Sequence, residues 1–187
     1  EPHPEPSWVV CGAGTGGTSA TIGRYVRYIK LDTQICVVDP ENSVFYDYYN
    51  TRDRKLARQG GSGVEGIGRG RVEPSFMPDV VDRMIKVPDA ASYAAIHFLA
   101  QLLRRKPGGS TGTNLYAVFQ LMAEMHRAGI HGSIVSLICD TGERYLDTYF
   151  SPDWLAARGH DVEPFIAQLD HFYRTGAWVA IDERVRS

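Results

Sequence analysis

The chain has 187 residues, 43% of them apolar, with 20 basic and 22 acidic side chains for a net charge of −2. That is enough for one good core and an extra subdomain, and the charge balance excludes a general polyanion-binding surface. Cys11, Cys36 and Cys139 sit in or beside apolar runs and read as buried reduced thiols; with no C-x-x-C or H-x-x-x-H pair, no metal site is expected. No apolar run reaches membrane-span length and no signal-peptide pattern is visible, so a cytoplasmic location is the expectation.

Strand and helix patterns alternate, which predicts an α/β three-layer sandwich with a mostly parallel, helix-covered sheet. Ser7–Cys11 reads as a strand, and Gly12-Ala13-Gly14-Thr15-Gly16-Gly17-Thr18 as a turn into a helix over Thr18–Ile29. Such a turn exposes backbone N–H groups beside the positive end of a helix dipole, and the Thr15 and Thr18 hydroxyls add donors. The result is an anion cup that needs no Lys or Arg. Gln34–Asp39 is a second strand whose run Ile35-Cys36-Val37-Val38 suits burial on both faces. Three readings of the turn stay open at this point. Gly12-x-Gly14-x-x-Gly17 with Asp39 fits a dinucleotide turn and its ribose-binding acid. The dense Gly14–Thr18 run fits a cup for one phosphate monoester, and a βα turn can also need glycine for geometry alone.

Residues 40–78 are hard to force into regular structure; Phe45, Tyr46, Tyr48 and Tyr49 read as a loop cluster, and Arg52–Lys55 with Gln59–Gly63 as a mobile lid flank. Arg83–Val87 is a short strand, followed by a helix that Asp89 would cap. Ala91, Ala94, Ala95, Phe98, Leu99, Leu102 and Leu103 recur at helical spacing up to the breaker Pro107-Gly108-Gly109, with Arg104-Arg105-Lys106 as a solvated helix end. Thr113–Ala128 is the next helix, its core face Leu115, Val118, Phe119, Leu121, Met122 and Met125, with Glu124 and Arg127 as a surface pair. Ser133–Asp140 reads as a strand ending in a carboxylate at the sheet's carboxyl edge, where ligands gather in open α/β sheets. Helices over Pro152–Arg158 and Val162–Tyr173 close the chain, with Trp154 and Phe165 on the core. His97, His126, His131, His160 and His171 show no acid–base pairing.

The turn also belongs to a larger pattern. Gly14-Thr15-Gly16-Gly17-Thr18, Val37-Val38-Asp39-Pro40-Glu41, Val64-Glu65-Gly66-Ile67-Gly68, Gly108-Gly109-Ser110-Thr111-Gly112 and Asp140-Thr141-Gly142-Glu143-Arg144-Tyr145-Leu146 follow one another in order across residues 9–158. In that order they resemble the cysteine synthase and cystathionine β-synthase family, enzymes dependent on pyridoxal 5′-phosphate (PLP) with the tryptophan synthase β-subunit type of fold (fold type II). The resemblance implies that Gly14, Thr15, Gly16, Gly17 and Thr18 hold the cofactor phosphate and that Ser110 meets the pyridine nitrogen. Gly66 and Gly68 would lie beside the cofactor, and Asp39 would not be a ribose ligand. Asp140 and Thr141 are further candidates for the ring, or they fix the strand end; Ser110 could instead simply cap its helix.

The resemblance equally implies what is missing. The family's Schiff-base lysine and substrate loop belong to an N-terminal half that precedes the phosphate loop, and Lys30, Lys55, Lys86 and Lys106 occupy other blocks. Residues 1–187 are therefore expected to be a C-terminal cofactor-binding part, inactive alone; Glu1 in place of Met favours a processed or cut piece. A neutral serine at the ring nitrogen does not hold it protonated by charge pairing, which favours elimination or replacement at Cβ over transamination. Phe150-Ser151-Pro152-Asp153-Trp154-Leu155 looks like the cystathionine β-synthase branch and the bacterial L-cysteine desulfhydrases. The expectation is a lyase that converts L-cysteine or a related amino acid to sulfide, pyruvate and ammonia. β-Replacement, as in cysteine or cystathionine synthesis, is the runner-up, and a non-catalytic half that binds a partner chain remains open. The complete enzyme is expected to be a homodimer.

Overall fold

The computed structural model describes residues 5–181. Four strands, β1 (Trp8–Gly12), β2 (Gln34–Pro40), β3 (Arg83–Val87) and β4 (Ile134–Ser136), form one sheet in the order β3-β2-β1-β4, every neighbouring pair parallel. Strand side chains alternate between faces, and β2 shows the consequence. Ile35 and Val37 enter a core cluster with Val26, Phe45 and Tyr48, whereas Cys36 and Val38 enter another with Ala94, Ala95, Ala117 and Leu121. The first face is covered by α1 (Gly17–Tyr28) and α2 (Phe45–Thr51), the second by α3 (Asp89–Leu103) and α4 (Gly109–Arg127). That is the expected three-layer α/β architecture. Outside α3 and α4 lie α5 (Pro152–Ala157) and α6 (Glu163–Thr175), where Phe165, Leu169 and Phe172 extend the second core. No helix among the described residues is long and apolar enough to cross a membrane.

Several elements differ from the sequence reading, each for a local reason. The aromatic cluster is a helix, α2, not a loop. Asp39, at the end of β2, accepts a hydrogen bond from the Tyr46 N–H at 2.8 Å, and Phe45 stacks on Phe76 at 4.6 Å between ring centres. Asp89 is the first residue of α3 rather than its cap, a place held by Pro88. Helix α4 begins four residues before Thr113, at Gly109. Leu102 and Leu103 of α3 and Met122 of α4 are exposed, and Tyr116, Ala117 and Ala123 join Phe119, Leu121 and Met125 on α4's buried face.

The expected strand over Ser133–Asp140 pairs only through Ser136. Beyond it, α4 side chains capture the backbone: Thr111 Oγ1 accepts from Cys139 N–H at 2.9 Å and Asn114 Nδ2 donates to Leu137 O at 3.1 Å. Residues 137–139 thereby leave the ladder, and Cys139 is exposed, not buried like Cys11 and Cys36. Glu124 does not pair with Arg127. It makes a two-pronged ion pair with Arg83, tying α4 to β3, with one contact at 2.8 Å.

Candidate functional site

The strand order reverses direction beside β1, whose sequence neighbour β2 lies on one side while β4 lies on the other. Loops leaving β1 and β4 diverge there, which opens a crevice at the carboxyl ends of the strands. The crevice is a cleft of about 610 Å³. Gly14 through Thr18, Gly66, Ser110 and Asp140 all line it. Gly68 and Thr141 do not line it. Gly68 donates its N–H to Ala13 O at 2.8 Å and so pins one loop to the other, and Thr141 caps the 3-10 turn over Gly142–Tyr145.

One end of the cleft is built for an anion. Gly16 precedes α1 with φ of 87°, a left-handed value that glycine adopts without a Cβ penalty, and no side chain caps the helix. The first intrahelical bond runs from Ala20 N–H to Gly16 O at 2.9 Å, so the amides of the turn before it are left without helical partners. The helix has no acidic residue in its first turn to compete for them. A Cβ on Gly17 would meet only Thr15 Oγ1, at 3.7 Å, so glycine here keeps the lining open. A Cβ on Gly14 would stand 2.5 Å from Gly66 O. Small residues therefore let the loop after β1 and the loop over residues 63–68 close on each other and leave a shallow cup between donors. That donor set suits a phosphate ester.

At the other end stands the start of α4. Ser110 is 6% exposed, second in the helix, and its hydroxyl has no hydrogen-bond partner among the described residues. The capping position belongs to Gly108, so Ser110 does not cap the helix. Asp140 lies against that helix start. Its carbonyl accepts from Gly108 N–H at 2.9 Å, its carboxylate accepts from Tyr145 Oη at 2.7 Å, and a Cβ on Gly108 would collide with it. Burial, reinforced by the Asp140 bond, pushes the Tyr145 phenol well above its ordinary range, so it remains a donor. Asp140 thus both fixes the chain after β4 and faces the cleft.

The cleft also includes residues the motif blocks contained without singling out: Glu65, Ile67, Arg144 and Tyr145, together with Leu137 and Cys139. Glu65 and Arg144 form an exposed ion pair at 3.4 Å across its margin. Their only sequence signal was membership of the Val64–Gly68 and Asp140–Leu146 blocks. No lysine lines the cleft among the described residues, and those residues contain no cluster able to hold a metal ion. Asp39 is fully buried and bonded to α2, away from the cleft lining, which removes the ribose-binding acid that a dinucleotide reading requires.

An anion cup and a free neutral hydroxyl in one cleft match the two ends of a phosphorylated pyridine, and comparison with known proteins agrees. The chain is 54% identical over 178 residues to L-cysteine desulfhydrase Cds1 of Mycobacterium tuberculosis, covering 95% of this chain and 48% of that protein. It is 29% identical over 152 residues to cysteine synthase 1 of Emericella nidulans (80% of this chain, 40% of the other). A similar match, 29% over 152 residues, joins it to cystathionine beta-synthase of Apis mellifera (81% and 29%). The chain spans about half the length, or less, of these curated relatives. Residues 1–140 match the family described as pyridoxal-phosphate dependent enzyme, and the chain belongs to that family.

Proposed function

We propose that this chain is the cofactor-grasping part of a PLP-dependent lyase that releases sulfide from L-cysteine, leaving pyruvate and ammonia. The observation that carries the reading is that the Gly14–Thr18 turn and the Ser110 hydroxyl line one cleft. The 54% identity to a named L-cysteine desulfhydrase favours this chemistry among those the family performs.

When bound, the cofactor supplies the electron sink that weakens the Cα–H and Cβ–S bonds of an amino acid. The chain's own residues do the holding. Amides from Gly14 to Thr18 and the hydroxyls of Thr15 and Thr18 would grip the phosphate at the positive end of α1. Ser110 would hydrogen-bond the ring nitrogen without a formal charge, which leaves that nitrogen unprotonated by pairing and limits how long negative charge can persist at Cα. Short-lived charge suffices for loss of a Cβ substituent. Gly66 and Gly68 keep the adjoining loop slim, and Asp140, steadied by Tyr145, would orient groups at the ring end. The family's covalent lysine would come from chain beyond these residues. Support for that comes from the absence of a lysine along the cleft among the described residues and from the chain's match to about half of Cds1. A homodimer of the complete enzyme belongs to the same proposal.

β-Replacement is the second reading, favoured by the matches to cysteine synthase and cystathionine beta-synthase. Product analysis of the complete enzyme separates the two. Sulfide, pyruvate and ammonia formed from L-cysteine alone are expected; strict dependence on an added nucleophile would establish replacement instead.

A further inference from the structure

The wall of the cleft formed by Glu65, Gly66 and Ile67 belongs to a stretch with no helix or strand between Thr51 and Pro78, apart from one bridge between Ala57 and Arg71. Such a wall holds its place only through individual ties. Downstream it is tied by Gly68 N–H to Ala13 O. Upstream the ties converge on a single residue, Gly63. Its N–H donates to Asp89 Oδ2 at 3.1 Å, and its carbonyl accepts from Tyr93 Oη at 2.7 Å and Tyr149 Oη at 3.0 Å. The Tyr149 hydroxyl in turn accepts from Glu65 N–H at 2.9 Å. The fit leaves no slack, since a Cβ on Gly63 would stand 2.1 Å from Asp89 Oδ2 and 2.9 Å from Tyr93 Oη.

Asp89 is an expensive residue for this task. It is 2% exposed, and its second oxygen, Oδ1, has no hydrogen-bond partner in the structure. Burial, with the charge of Glu41 adding to it, pushes the carboxyl up to about 7 against the opposing Gly63 N–H. A buried acid with one oxygen unpartnered costs folding free energy that an apolar residue would not. Here it fastens the loop to the rigid start of α3. Tyr149 stacks on Tyr93 and on the cleft residue Tyr145, with ring centres 4.6 Å apart in both pairs, so the same fastening reaches across to the other wall.

We propose that Asp89, acting through Gly63 with Tyr93 and Tyr149, is a positioning residue that sets the Glu65–Ile67 wall against the phosphate turn. The assignment of the cleft to the cofactor rests on the function proposed above, but the fastening itself does not. Gly66 O lies 2.5 Å from where a Gly14 Cβ would be, so release of Gly63 changes the width of the cup directly.

Hydrogen–deuterium exchange on the protein as isolated, followed over peptides spanning residues 60–70 and with the melting temperature recorded alongside, tests it. Asp89→Ala should speed exchange of the Val64–Gly68 amides at least tenfold and leave peptides within the strands β1, β2 and β3 unchanged. Asp89→Asn keeps an oxygen acceptor for Gly63 and should restore the parental rates. Tyr149→Phe, which leaves Asp89 in place and serves if the alanine variant does not fold, should speed exchange at Glu65. Unchanged loop rates, loosening spread evenly over the chain, or an asparagine variant as loose as the alanine would overturn the assignment. Titration of the parent and Asp89→Ala proteins with PLP then addresses the cleft. No binding to the parent would refute the function proposed above and leave the exchange result standing, whereas equal affinity for both proteins would refute the link from Asp89 to the cofactor cup.

Discussion

Asp39 shows what a single buried carboxylate does to this molecule. It is fully buried, with Oδ1 unpartnered while Oδ2 receives the Tyr46 N–H. Burial pushes its pKa up to about 6, against the pull of Ser43, the Tyr46 N–H and Lys86. In an unfolded chain the same group titrates near ~4. Between those values the folded protein binds more protons than the unfolded one, so Asp39 makes stability fall as pH rises from about 4 to 6, and levels off above that. Asp39→Asn should flatten that part of the profile by roughly 1–3 kcal/mol, measured as the difference between urea-unfolding curves of variant and parent across pH 4–8. A slope in the parent that is unchanged in the variant would show that Asp39 titrates normally.

Among the elements, those defined by local chemistry were the ones legible in the sequence. β1, α1, β2 and β3 lie within a residue or so of their expected bounds because apolar runs, glycine turns and helical spacing are contained in the segments themselves. α2 was not legible, since its short aromatic run is fixed by distant partners, Asp39 before it and Phe76 after it. Nor was the end of β4, whose apolar run continues to Cys139 while Thr111 and Asn114 draw its backbone away. The partner of Glu124 is likewise set by the fold. Spacing along one helix offered Arg127, but the fold offers Arg83 in a two-pronged geometry that a surface pair cannot match. Glu124→Ala should cost roughly 1.5–3 kcal/mol of stability, because it strands a half-buried guanidinium, and Arg127→Ala should change it by less than about 0.5 kcal/mol. Equal effects in chemical denaturation would contradict the β3–α4 tie.

At the scale of the whole molecule, a parallel sheet with a reversal beside β1 concentrates loop ends at one crevice, and motif blocks distant in sequence meet there. The resemblance places the Gly14–Thr18 turn and Ser110 on one cofactor, and they do share a cleft; residue spacing alone could not bring them together, since proximity across about ninety residues depends on strand order. Glu65, Arg144 and Tyr145 entered for the same reason, and Gly68 and Thr141 proved to be ties behind the lining. The account as a whole requires one ligand to touch both ends of that cleft. The direct measurement is a titration of ¹⁵N-labelled protein with PLP, recording amide shifts residue by residue. Resonances of Gly14–Thr18 and of Ser110–Thr111 should move together along one binding curve, with Ser110→Ala weakening that curve by about tenfold, the value of one hydrogen bond of roughly 1.4 kcal/mol. Movement of the glycine turn alone, with the start of α4 silent and the alanine variant binding as the parent does, would contradict it.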